Sequence, residues 1–130
     1  MGSFSWTLSI QATGQSPISV SQAAQAVEAV DRIVVSLAPG DTDKVVNIQP
    51  GSAAAIALLL VKSDRYGSDF SFTASDGSTD SSPVTLDAAQ IYTNGSVALF
   101  GVDPQQLKLT NSSTDQTAEI EIFVARDATP

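Results

Sequence analysis

The residues of this chain that could do chemistry are mainly carboxylates in polar loops. Asp41 and Asp43 lie two positions apart, and Asp76 and Asp80 enclose a Gly-Ser-Thr segment. Oxygen ligands at such spacings occur in calcium sites, but the glutamate that completes an EF-hand loop is missing. Asp, Ser and Gly also form turns without any metal. We therefore expect structural turns and no bound metal at both places, with calcium as the alternative.

A second pair of carboxylates lies near the end of the chain. Glu119 and Glu121 share one face of a predicted strand, about 7 Å apart by strand geometry, and paired carboxylates can hydrolyse glycosides. They alternate with Ile120 and Ile122, which places them on the solvent side of that strand. We expect a solvated face rather than a cleft. The chain also has no Gly-rich phosphate loop and no Gly-x-Ser-x-Gly motif.

The composition argues against several classes of function. The chain has no cysteine and no histidine, which removes disulfides, thiolate catalysis, the commonest general base and the commonest zinc ligand. Fourteen acidic against six basic residues give a net charge of −8. Such a surface repels phosphate backbones and lacks a polybasic patch for membranes. We expect no enzyme, no cofactor, no nucleic acid and no membrane partner.

Three aromatic residues could form a platform for sugars. Trp6 is in phase with Leu8 and Ile10, which predicts that it packs in the core. Tyr66 lies in a predicted loop, and Tyr92 adjoins an Asn-Gly pair. Packing in the core or in a turn is the expectation for each, and contact with a ligand or partner is the alternative for both tyrosines.

The longest apolar run, Ala53–Lys62, is the element around which the fold is predicted to form. It is far too short to span a membrane, which takes about 20 apolar residues. Turn-forming residues flank it, and it has no polar stripe, so it predicts a strand buried on both faces in the middle of a sheet. Alternating or turn-bounded segments predict further strands at 5–13, 18–21, 31–37, 45–49, 70–75, 84–86, 107–110 and 118–125, with a hairpin centred on Asn94-Gly95 within 91–100.

This pattern predicts an all-β fold of about nine short strands in one domain, residues 1–130. Turns every eight to twelve residues are typical of a two-sheet antiparallel β-sandwich, of which the jelly roll is one form.

Residues 14–30 fit an extended arm or a short helix, with the extended form favoured, and residues 126–130 fit a short C-terminal arm. Phe123 falls on the outer face of the last strand, where it needs a cover from a loop or a partner. The N-terminal residues have neither a basic nor an apolar signal region, so we expect no secretory signal.

Several segments resemble a known family. They are Leu-Leu-Leu-Val-Lys-Ser-Asp-Arg-Tyr-Gly (58–67), Leu-Asp-Ala-Ala-Gln-Ile (86–91), Val-Ala-Leu-Phe-Gly-Val-Asp-Pro (97–104), Leu-Lys-Leu-Thr-Asn (107–111) and Ile-Glu-Ile-Phe-Val-Ala-Arg-Asp-Ala-Thr (120–129). Together they resemble small β-sandwich or jelly-roll virion proteins of tailed bacteriophages, namely capsid decoration or cement proteins. The resemblance covers roughly the last 75 residues, whereas the first 50 match in strand pattern only.

The resemblance implies a non-enzymatic structural protein. It implies binding to the major capsid protein on the outside of the phage head, commonly as a symmetric homo-oligomer such as a dimer or trimer, after synthesis in the host cytoplasm. It carries over no catalytic residue. The residues we expect to contact partners are Tyr66, Tyr92, Phe123, Arg126 and Asp127. A tail or baseplate component and a carbohydrate-binding β-sandwich module are the alternatives.

Overall fold

Ten strands and two short 3₁₀ helices make up the computed structural model, which describes residues 2–48 and 53–127. The 3₁₀ helices cover Ala53–Ala55 and Asn94–Phe100. No helix among these residues is long and apolar enough to cross a membrane. The strands are β1 (Gly2–Ile10), β2 (Ile18–Val27), β3 (Ala29–Leu37), β4 (Lys44–Asn47), β5 (Ile56–Ser63), β6 (Phe70–Ser75), β7 (Val84–Thr85), β8 (Gln90–Thr93), β9 (Gln106–Asn111) and β10 (Ala118–Arg126).

Strands β3 to β10 form a jelly roll. They pair as nested antiparallel hairpins, β3 with β10, β4 with β9, β5 with β8 and β6 with β7. Two further pairs, β10 with β5 and β9 with β6, join the hairpins into two four-stranded sheets. The first sheet has the order β3-β10-β5-β8 and the second has the order β4-β9-β6-β7. This rolled-up arrangement of eight strands is the jelly-roll order, so the predicted antiparallel sandwich is confirmed.

The core between the two sheets comes from the apolar residues that alternate along each strand. Strand β10 shows the pattern clearly, because Ile120, Ile122 and Val124 are fully buried, whereas the alternating Glu119 is exposed and Glu121 and Phe123 are half-buried. Phe72 of β6 meets Phe100 of the second 3₁₀ helix, with ring centroids 6.2 Å apart in an edge-to-face arrangement. Burial of such rings contributes about 1.5–3 kcal/mol each.

The predicted central strand is an interior strand of the first sheet. β5 lies between β10 and β8, and Ile56 to Leu59 are buried on both faces. The prediction was wrong at the start of the run, where Ala53–Ala55 form a 3₁₀ turn. The backbone N–H of Ala53 donates to Oδ1 of Asp103 at 2.9 Å, which fixes that turn.

The first two strands stand apart from the jelly roll as a two-stranded ribbon. β1 pairs with β2 alone among the described strands, in a register that runs from Gly2 opposite Val27 to Ile10 opposite Ile18. We call residues 2–27 the arm. Gly14 turns the chain at the tip with a φ of 79°, and the N–H of Gln15 closes this turn by donating to the carbonyl of Ala12 at 3.1 Å.

Two interpretations of the N-terminal third concern the arm, and the structure changes the second of them. Residues 18–27 are extended, and no helix forms there. The strand predicted at 5–13 was expected to be half-buried in the sandwich. It lies in the arm instead, with most of its residues exposed. Alternation specifies a strand and its two faces, but it does not specify what the apolar face meets.

The hairpin predicted at Asn94-Gly95 is also wrong. Asn94 has the positive φ of 47° that such a turn requires, but the chain continues as a 3₁₀ helix to Phe100. Val97 and Phe100 are three residues apart, so they lie on the same side of this helix and both are buried. The N–H of Thr93 donates to Oγ of Ser96 at 2.8 Å and caps its start.

Candidate functional site

The outer face of the first sheet changes from apolar to charged along its strands. Strand register places the outward side chains in rows that cross the sheet. The two rows nearest the arm are almost entirely uncharged, and the third row carries an ion-pair network. The rows are Val30-Ala125-Leu58-Thr93, then Arg32-Phe123-Leu60-Ile91, then Val34-Glu121-Lys62.

The root of the arm covers part of these apolar rows. Phe4 and Val27 form a second hydrophobic cluster with Ala57, Leu58 and Ala125, separate from the core between the sheets. The ring of Phe4 also lies 6.4 Å, centroid to centroid, from the ring of Phe123. The cover expected over Phe123 is therefore a strand of the same chain.

A groove runs between the arm and the outer face of β5 and β8. Its volume is about 400 Å³. None of the described residues that line it is charged, and its only polar side chains are two threonines. Trp6, expected in the core, is half-buried here and forms one wall. The residues lining the groove are Trp6, Thr7, Leu8, Leu58, Leu60, Ile91 and Thr93.

Beyond the groove the arm leaves an apolar surface open to solvent. Leu8 pairs with Val20 and Ile10 with Ile18, so all four side chains lie on one face, in phase with Phe4. They are 41%, 46%, 47% and 54% exposed for Leu8, Val20, Ile10 and Ile18, respectively. We call Phe4, Trp6 and these four residues the inner face of the arm. Its root packs on the body, whereas its tip contacts little.

The arm also differs from the body in charge. Residues 1–27 contain no Asp, Glu, Lys or Arg, so all the charged side chains that produce the net charge of −8 belong to residues 28–130. Sequence reasoning predicted an arm at residues 14–30 but missed its first strand and the apolar face that the two strands share. The signal that could have found it is the combination of an uncharged stretch with clean apolar alternation at 6, 8 and 10.

The charged row of the first sheet holds Glu121 between two cations. Nε of Arg32 donates to Oε2 of Glu121 at 2.9 Å, and Nζ of Lys62 lies 3.5 Å from Oε1. The hydrogen bond from Arg32, helped by Lys62, lowers the pKa of Glu121 below its usual range. A glycosidase general acid needs a raised pKa, so Glu121 is not suited to that role.

The two tyrosines named from the sequence lie in different environments and do not meet at one site. Tyr66 is exposed in the β5–β6 loop, where its hydroxyl accepts a hydrogen bond from the N–H of Ser63 at 3.2 Å. Tyr92 points from β8 towards the core, and its ring lies 4.6 Å from that of Phe100. Burial raises the pKa of Tyr92. Its ring is therefore not placed to form a flat platform for a ligand.

The residues expected in a C-terminal arm belong to the body as far as the structure describes them. Arg126 is the last residue of β10, and its guanidinium pairs with the carboxylate of Asp31. The N–H of Asp127 donates to the carbonyl of Ala55 at 2.8 Å. The prediction of an arm is wrong for 126 and 127, and residues 128–130 lie outside the described part of the chain.

The aspartate loops are turns held by their own carboxylates. Oδ2 of Asp41 accepts from the N–H of Ala38 at 2.8 Å. Oδ1 of Asp76 accepts from the N–H groups of Ser78 and Thr79 at 2.9 and 2.7 Å, and these bonds lower the pKa of Asp76. Within residues 2–48 and 53–127, no three acidic side chains gather closely enough to bind a metal ion.

A buried hydrogen-bond network around Asn111, at one end of the sandwich, is a further feature that the sequence did not reveal. Asn111 is fully buried, and its Nδ2 donates to the carbonyls of Leu37 and Gln116 at 3.0 and 2.7 Å. Its Oδ1 accepts from the N–H and the hydroxyl of Ser113 at 3.0 and 2.7 Å. Asn111 therefore joins the end of β3 to the loop between β9 and β10.

Comparison with known proteins assigns no family, because no protein-family model and no curated protein matches the chain.

Proposed function

We propose that this chain is a non-enzymatic structural protein of a phage virion, which binds the outside of the capsid and stabilises it as a decoration or cement protein. Its partner is the major capsid protein of the head, and it acts as a homo-oligomer. It is made in the host cytoplasm and resides on the capsid surface. The proposal combines the resemblance of residues 58–129 to such proteins with the architecture of the arm and body.

The observation that carries the proposal is the arm. Its tip exposes four large aliphatic side chains on one face, Leu8, Ile10, Ile18 and Val20. Exposed apolar surface of this kind, on a segment that projects from a closed body, marks a site of protein–protein contact. A structural protein that assembles in many copies needs such a contact element and needs no cleft.

The body has the features of a rigid unit. The jelly roll has nested long-range strand pairs, and every buried side-chain nitrogen or oxygen among the described residues has a hydrogen-bond partner. Ion pairs also join neighbouring strands on the surface, such as Arg126 with Asp31 and Arg32 with Glu121. A rigid body that contacts several capsid subunits stabilises the shell, because its release must break those contacts together.

The proposal is tested by preparing particles without this chain and then adding the purified chain back. Particles assembled without this chain should release their genome at a lower temperature than complete particles, and adding the purified chain should restore the original temperature. A variant with Asp replacing Ile10 and Ile18 serves as the arm-defective control and should restore less. Identical heat release with and without the chain, together with no binding of the purified chain to the particles, would overturn the proposal.

A carbohydrate-binding module is the second candidate, favoured by one observation. Trp6 is half-buried in the wall of the groove, and indole rings stack on sugars through their apolar faces. Among the described lining residues, however, the indole N–H of Trp6 and the hydroxyls of Thr7 and Thr93 are the only side-chain groups that could hydrogen-bond a sugar. Trp6 is the chain's single tryptophan, so quenching of its fluorescence by oligosaccharides would favour this candidate. A tail or baseplate component shares the observations on the arm and differs in copy number.

A further inference from the structure

The arm is structurally incomplete in a single copy of the chain. A two-stranded ribbon is marginally stable in water on its own. This ribbon packs on the body at its root, through Phe4, Val27 and the partly buried Trp6. Ile10 lies six residues beyond Phe4, about 20 Å along an extended strand. The tip therefore has an apolar face and two strand edges that nothing covers within the described part of the chain.

The distribution of charge identifies what kind of surface covers the tip. The arm has no charged side chain, so it offers no attraction to a basic or an acidic partner surface. The bodies of two copies each carry the whole negative charge and repel one another. Because the arm carries no charge, the repulsion between the bodies opposes a contact made by the arm less than any other contact between two copies.

The same molecule also carries a surface that matches the tip. The groove is apolar and uncharged, and Leu60 and Ile91 form its floor on the first sheet. Ile91 is 53% exposed, so the arm of its own chain leaves this floor partly open. The groove is continuous with the contact that the arm root already makes on Leu58. A second arm would extend an existing arm-to-sheet interface.

We propose that the tip of the arm docks into the groove of another copy of this chain, so that the copies exchange arms in a closed oligomer. Ile10 and Ile18 of one copy then pack against Leu60 and Ile91 of the next copy. An exchange of this kind lets every copy donate one tip and fill one groove, and it closes when two copies exchange arms reciprocally or when the rotation between neighbours completes a ring. The inference assigns a surface to the oligomer, and its test uses the purified chain alone, so it does not depend on the virion function.

The experiment is sedimentation of the purified full chain over a range of concentrations, with two matched pairs of variants. The first pair is Ile10→Asp with Ile18→Asp, and Ser9→Asp with Ser19→Asp. Both double variants add two carboxylates to one cross-strand pair, on the apolar face in one case and on the polar face in the other. The second pair is Ile91→Asp in the groove and Val45→Asp, an exposed residue on the second sheet.

We expect the wild-type chain to be an oligomer. The Ile10/Ile18 variant and the Ile91 variant should each need at least roughly 30-fold higher concentration to associate, since a charge placed in a packed interface acts as a lost hot spot. The two control variants should associate within about threefold of wild type. At a chain concentration of about 1 mM, all but the weakest contacts between copies form. A wild-type chain that is still monomeric at this concentration would overturn the inference. So would equal losses in both members of a pair.

Trp6 provides a second measurement that needs no substitution. It forms one wall of the groove, so docking of a second arm should shield it from water. The emission of the wild-type chain should therefore shift to longer wavelength on dilution, with the same midpoint as the change in mass. An oligomer that dissociates with no change in Trp6 emission would place the interface elsewhere and refute the assignment, even if a charged variant failed to fold.

Discussion

The side chain of Asn111 shows how a single polar residue organises one end of this protein. It makes four hydrogen bonds while fully buried, to the end of β3 and to the loop before β10. Buried amides are costly unless every donor and acceptor is satisfied. The local sequence Asn-Ser-Ser-Thr-Asp is typical of an exposed polar turn. The burial of Asn111 could not be predicted from it, because the partner Leu37 lies 74 residues away.

Replacement of Asn111 by Ala should lower the free energy of unfolding by about 3 kcal/mol. The substitution removes the donor to the buried carbonyl of Leu37 and the acceptor of the two bonds from Ser113. Urea denaturation measures the change. The adjacent Ser112, whose exposed hydroxyl donates to the carbonyl of Asp69 at 3.2 Å, is the control, and Ser112→Ala should cost less than about 1 kcal/mol. Equal losses of unfolding free energy in the two variants would show that the hydrogen-bond network around Asn111 contributes little to stability.

At the scale of elements, the arm and the jelly roll are held by separate hydrophobic clusters. The core between the sheets does not include Phe4, and the cluster at the arm root does not include the core residues of β6 or β9. The arm can therefore detach while the body stays folded, because opening it leaves the strand pairs of both sheets intact.

Replacement of Phe4 by Ala should open the arm without unfolding the body. Loss of the ring from the cluster with Leu58 and Phe123 removes about 2 kcal/mol of docking, so thermolysin should cut within residues 2–27 roughly 30-fold faster. The melting temperature of the body should change little. Leu99→Ala, which removes an exposed aliphatic side chain from the second 3₁₀ helix, is the control and should leave cleavage of the arm unchanged. An unchanged rate in Phe4→Ala would contradict separate clusters.

The elements that could be predicted from the sequence are those whose alternation reports a single buried face. β6 was predicted with its observed ends, and β10 was predicted within one residue, with Phe123 on the outside. The jelly-roll order could not be derived, since strand pairing such as β3 with β10 depends on contacts distant in sequence. The arm was predicted for residues 14–30 only. Its first strand was missed because alternation at Trp6, Leu8 and Ile10 looks the same whether the apolar face meets a core or another molecule.

At the scale of the whole molecule, two different surfaces coexist. The body is an acidic jelly roll with its charges spread over residues 28–127. The arm is uncharged and exposes aliphatic side chains. This division suits a protein that assembles through one element and keeps the rest of its surface hydrated. The proposed site residues Tyr66, Arg126 and Asp127 lie on the body, so their contacts with a capsid remain predictions separate from the contact made by the arm.

The measurement that tests the proposed function most directly is the copy number of this chain in purified particles from the source that encodes it, determined by mass spectrometry against the major shell protein. A decoration or cement protein occupies sites repeated over the whole shell. We expect a copy number near parity with the shell protein. A few copies to a few dozen would contradict decoration in favour of a tail or vertex component, and absence from the particles would contradict the virion function altogether.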